Sequence, residues 1–88
     1  MSESGALVLV VDDEPAILRI LKSTLKAAGY GVETAETGSE AVRMVARLSP
    51  DLILLDLGLP DLDGKDVIES LRAWTHVPLV VLSARHDE

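Results

Sequence analysis

Four short runs with strand character alternate with longer segments whose apolar residues recur at helical spacing. The runs are ALVLVV from Ala6 to Val11, Val32 to Ala35, LILL from Leu52 to Leu55, and LVVL from Leu79 to Leu82. LILL is too short for an independent helix, lacks polar alternation and runs into the turn residues Gly58 and Pro60. Those features mark a strand covered on both faces. Between the runs, DEPAILRILKSTLKAAG sets Ile17, Leu21, Leu25 and Ala28 on one face, with Pro15 suited to a first helical turn and Gly29 to a stop. SEAVRMVARL groups Val42, Val45 and Ala46 ahead of Pro50, and KDVIESLRAW spaces Val67, Ile68, Leu71 and Trp74 over a third helix. The order β-α-β-α-β-α-β predicts an α/β fold with a parallel sheet, right-handed crossovers and helices on both faces.

Composition narrows the possible functions. The 88 residues make one domain, which buries roughly 60–65% of its extended surface. Apolar residues reach 48%, yet there is no Phe, one Tyr and one Trp, so the core is aliphatic and base stacking on aromatic side chains is not expected. Fifteen acids against eight scattered bases give a net charge of -7, which argues against nucleic-acid contact by this segment. Without cysteine there is no disulfide or thiolate metal site. The start MSESGALVLV lacks the features of a signal peptide, and no apolar run approaches a membrane span, so a cytoplasmic location with no membrane contact is expected. Residues 1–5 read as a disordered N-terminus and residues 6–88 as the folded unit.

Strands of a parallel sheet all end on one rim, and here that rim carries acids. The first strand runs into Asp12, Asp13 and Glu14, the third into Asp56, and the fourth into Ser83. In a flavodoxin-like, doubly wound sheet, ligands bind at the carboxyl ends of the strands, at the switch point between the first and third. That would gather Asp12, Asp13 and Asp56. Their repulsion demands a proton or a cation, and oxygen ligands without His or Cys favour a hard ion such as Mg²⁺.

The VLVVDDEP acidic pair, the DLILLDLGLPDLDG strand and loop, and the VPLVVLSAR strand together resemble the receiver domain of bacterial two-component response regulators, over Ala6 to Arg85. The resemblance implies strand order 2-1-3-4 and a phosphoacceptor that phosphorylates itself from a sensor histidine kinase rather than a turnover enzyme. It also implies Asp56 as the phosphorylated residue, Asp13 as a direct Mg²⁺ ligand, Asp12 as a ligand through water, and the Gly58 carbonyl as a backbone ligand. Ser83 matches the hydroxyl that bonds the phosphoryl group. Within the family, DLGLPD beside VLSAR is most similar to transcription regulators with a winged-helix DNA-binding half, of the potassium-responsive Kdp type. DNA would then be reached through an output domain absent from this segment.

A receiver resembles five βα units, whereas RHDE follows the fourth strand here, roughly 30 residues short by the size of such a unit. Residues 6–88 are therefore expected to be a partial receiver without the fifth strand, its phosphate-binding Lys, the aromatic switch residue and the last two helices. The fourth strand would become an edge able to pair with a second copy in a homodimer. Plainer readings exist for each residue. Asp13 and Glu14 could cap a helix, Asp56 could be a turn residue, and Asp61 and Asp63 suit a loop or N-cap. Two other functions compete. A haloacid-dehalogenase-like phosphatase needs a second acid where Gly58 stands, and a phosphorylation-incompetent interaction module would keep only the partial fold.

Overall fold

The computed structural model describes residues 5–61 and 63–82. Its elements follow the expected alternation: β1 (Leu7–Val11), α1 (Pro15–Ala27), β2 (Gly31–Ala35), α2 (Gly38–Leu48), β3 (Leu52–Leu55), α3 (Gly64–Arg72) and β4 (Leu79–Val81). All pairings are parallel, and the order is β2-β1-β3-β4, as the resemblance implied. Element ends differ by a residue or two, and at α3, which stops at Arg72, this leaves Trp74 outside the helix and half exposed. The amides of Trp74 and Thr75 both donate to the Leu71 carbonyl, while the Arg72 guanidinium donates to the carbonyls of Thr75 and Val77. The chain is thereby turned toward β4 before Trp74 can add to the helical stripe. Of the proposed disordered N-terminus, residues 1–4 lie outside the described residues.

Strand periodicity divides the core into two layers. Val8 and Val10 point to one side of β1, where Leu18, Leu21 and Leu25 of α1 cover them. Leu9 and Val11 point to the other, against α2 through Ala41 and Val45 and α3 through Val67 and Leu71. With neighbours on both edges and helices on both faces, β1 is buried as a parallel central strand requires. Two apolar stripes sit slightly off their expected positions. Leu18 is the buried residue of α1 while Ala28 forms its exposed C-cap, and Ala41 is buried in α2 where Ala46 is exposed. Among the described residues β4 pairs with β3 alone, and Val80 and Val81 are 49% and 44% exposed. No described helix is long and apolar enough to cross a membrane.

Helix ends account for the punctuation. Gly29 has φ 101°, its amide donates to Lys26 and the Tyr30 amide to Leu25, so α1 closes in a Schellman turn that favours glycine. At the start of α2, Thr37 Oγ1 accepts from the Glu40 amide and Glu40 Oε1 accepts from the Glu36 amide, a variant of the reciprocal capping box.

Candidate functional site

Register builds the site. Val11 is level with Ala35 of β2 and with Leu55 of β3, so the residues just past β1 and β3 emerge side by side. The ladder continues one step further, with the Asp12 amide donating to Ala35 (3.0 Å) and the Asp56 amide to Val11 (2.9 Å). Since β1 continues to β2 on one side and is paired with β3 on the other, the two aspartates stand at the topological switch point of the sheet. Asp12 and Asp56 are each 7% exposed, and Asp13 is exposed beside them.

One carboxylate oxygen from each of Asp12, Asp13 and Asp56 lies within 4.8 Å of the others. At that separation two charges repel by on the order of 3 kcal/mol for an effective dielectric near 20. The Asp12 carboxyl is accordingly pushed above its ordinary value. Burial is the largest cause, the Glu14 amide (2.9 Å to Oδ1) opposes it, and the charges of Asp56, Asp13 and Glu14 add to it. A buried, mutually repelling, all-oxygen donor set with one exposed member fits a hard divalent ion that keeps part of its water shell, as Mg²⁺ does. The capping alternative finds little support. Glu14 occupies the α1 N-cap without a side-chain cap bond, and its backbone carbonyl serves the amides of Ile17 and Leu18.

Gly58 follows Asp56 on the β3–α3 connection, and its amide donates to Asp56 Oδ1 at 3.3 Å. That segment is gripped where it re-enters α3, because the Gly64 amide donates to Leu57 (3.1 Å) and a Cβ on Gly64 would lie 2.7 Å from the Leu57 Cα. Asp63 caps α3 as expected, accepting from the Lys65 amide. Asp61 caps a helix too, though α2 rather than α3: its carboxylate accepts from the Gly38 amide (2.7 Å), the Ser39 amide (3.0 Å) and the Ser39 hydroxyl (2.7 Å). These bonds hold its carboxyl down at about 2, the Ser39 hydroxyl contributing most and the Gly38 amide next. A depressed folded-state value means that the contribution to stability is complete above the ordinary carboxylate range and is lost as pH falls toward 2.

The structure thus brings Asp12, Asp13, Asp56 and Gly58 together, whereas the expectation for Ser83 lies outside the described residues. Sequence reasoning gave Asp61 a loop or N-cap role but not the helix it serves, and it missed the role of Gly64. The one available signal was that an N-cap hydroxyl ordinarily reaches the N2 or N3 amide, which leaves others of the first turn of α2 in need of an acceptor from elsewhere.

Comparison with known proteins points the same way. The profile of the response regulator receiver domain matches residues 8–88. Over 81 residues the chain is 56% identical to the transcriptional regulatory protein KdpE of Mycobacterium tuberculosis and 51% identical to the KDP operon transcriptional regulatory protein KdpE of Escherichia coli. In each case 92% of this chain and 36% of the relative are covered. The chain therefore spans about a third of the length of these relatives. Among solved structures, the BeF3-activated N-terminal receiver domain of Klebsiella pneumoniae RstA superposes with a TM-score of 0.87 at 29% identity, covering 93% of this chain and 70% of that one. The chemotaxis response regulator CheY4 of Vibrio cholerae gives 0.85 at 32% identity, covering 89% and 68%.

Proposed function

The chain belongs to the response regulator receiver domain family, and from that premise we propose that Asp56 accepts a phosphoryl group from a sensor histidine kinase in the cytoplasm. The observation that carries this reading is the meeting of Asp12, Asp13 and Asp56 within 4.8 Å at the switch point. Asp56 is the nucleophile. One carboxylate oxygen forms a bond to phosphorus as the P–N bond of the phosphohistidine breaks, and the imidazole leaves with the electron pair and takes up a proton. The product is an acyl phosphate. Asp13 would hold Mg²⁺ directly, Asp12 through water, Asp56 by its carboxylate and Gly58 by its carbonyl. When bound, the ion supplies positive charge against that developing on the phosphoryl oxygens. Asp12 and Asp13 also keep the rim acidic, so the donor approaches productively only once their charge is compensated. Gly58 adds no side chain, and nothing lies within 4 Å of where its Cβ would be, which leaves room for a bulky donor. The phosphoryl group adds negative charge, and Ser83 would donate a hydrogen bond to it. That local change could bias an output domain, in this reading one that binds DNA.

Mg²⁺ should raise the thermal midpoint in proportion to site occupancy, by the equivalent of about 2.7 kcal/mol at a hundred times the dissociation constant. Asp13→Asn should remove most of that response. Equal Mg²⁺ responses in the two chains, followed by differential scanning calorimetry, would take the metal away from these residues.

We further propose that this chain pairs with a second copy along β4, as a two-fold dimer with a continuous sheet. Support comes from the exposure of Val80 and Val81 on a strand that has one partner among the described residues, and from the lack of Pro or charge within LVVL to blunt it. Light scattering should give a dimer mass that reverts to monomer in Val81→Lys. A dimer indifferent to that substitution, or a monomer at high concentration, refutes the pairing.

A further inference from the structure

The first turn of an α-helix leaves four amides without intrahelical partners. In α2 three of them are divided between two sources. The Thr37 hydroxyl serves the amide of Glu40, and Asp61, more than twenty residues away in sequence, serves those of Gly38 and Ser39. A charged acceptor at the positive end of a helix, with the Ser39 hydroxyl as a third donor at 2.7 Å, is a strong and directional tether. It joins α2 to the connection that leaves β3, which is the segment carrying Gly58.

That connection has three anchors. Leu59 is buried in the core layer beneath α2 and α3, Asp61 is fixed to α2, and Gly64 is closed onto Leu57. Gly58 lies between the closing contact at Leu57 and the other two anchors. It has no side chain to hold it, and its amide donates to Asp56 Oδ1 at 3.3 Å. A backbone carbonyl serves as a ligand only if its neighbours fix its direction, and Mg²⁺ tolerates little departure from octahedral geometry. From these contacts we propose that Asp61 is a positioning residue for the Gly58 backbone, acting through α2 to hold the metal's carbonyl ligand in place, an assignment that rests on the Mg²⁺-dependent reading of the site.

The test is Mg²⁺ titration of the chain, read from the amide resonance of Gly58 and the fitted dissociation constant, with the metal-free thermal midpoint recorded for each variant. Loss of residues that orient a metal's ligands commonly weakens affinity by about 10–100-fold, and Asp61→Ala should fall at the lower end of that range. Asp61→Asn, which keeps one acceptor oxygen, should lie between it and the parent chain. Ser39→Ala removes one bond without changing charge, so it should weaken binding in the same direction by a few-fold; should Asp61→Ala fail to fold, Ser39→Ala decides the question. Asp66→Ala, which removes a nearby exposed charge outside the tether, separates positioning from long-range attraction and should leave the constant within about two-fold. Unchanged affinity in Asp61→Ala and Ser39→Ala, or equal weakening in Asp66→Ala, would overturn the positioning role while the metal site stands. A parent chain in which Mg²⁺ moves neither Gly58 nor the aspartate amides would overturn the metal reading itself, and the role of Asp61 with it.

Discussion

Asp56→Asn should remove every trace of phosphoryl label from this chain while leaving it folded. Incubated with Mg²⁺ and a small-molecule phosphodonor, the parent chain should gain the intact mass of one phosphoryl group. Asp56→Asn should gain none, and Glu69→Gln, on an exposed position of α3, should behave as the parent. The amide of Asn is too weak a nucleophile to form the acyl phosphate, yet its oxygen can still accept the bond that the Gly58 amide makes to Asp56. The substitution also removes a charge from beside buried Asp12. Metal-free Asp56→Asn should therefore be more stable than the parent, by on the order of 1 kcal/mol. Label surviving in Asp56→Asn would show that the nucleophile lies elsewhere. A parent chain that takes up no phosphoryl group would instead favour the interaction-module reading of this segment.

Gly64→Ala should be the most damaging conservative change in the chain. An added Cβ would sit 2.4 Å from the Leu57 Cδ2, 2.7 Å from its Cα and 3.1 Å from its Cβ. A flexible side-chain end could swing away, but the Cα could not without parting the backbone that closes the β3–α3 connection. Overpacking of this kind costs about 3 kcal/mol, which exceeds the gain of up to ~1 kcal/mol from replacing glycine near a helix start. For a domain of this size the net loss of about 2 kcal/mol should lower the thermal midpoint by roughly 8–16 °C. Gly58→Ala is the contrast, since its Cβ meets nothing within 4 Å and no positive φ is required there. It should change stability by about 0.5 kcal/mol or less. If thermal unfolding places the two alanine variants together, the close approach of Gly64 to Leu57 is wrong.

The strands and helices were legible because burial on both faces leaves only short apolar runs for strands and an apolar stripe for helices, and turn residues mark the ends. LILL was read to the residue, and the acids past each run could be assigned to one rim because parallel strands share a direction. The stripes were harder to place: Leu18 and Ala41 are buried, whereas Ala28, past the end of α1, and Ala46 are exposed, because the packing partner decides which side of a short helix is covered. Trp74 has helical spacing from Leu71, yet the Arg72 and Leu71 bonds end the helix first. Tertiary structure alone decided which acids meet. Register sets Val11 level with Leu55 and so Asp12 against Asp56, and a shift of one residue would have parted them. It also gave DLDG its division of labour, with Asp63 capping its own helix and Asp61 capping α2. A carboxylate carries no mark in sequence of which unpaired amide it will serve; that depends on which helix start the folded sheet brings within hydrogen-bonding distance.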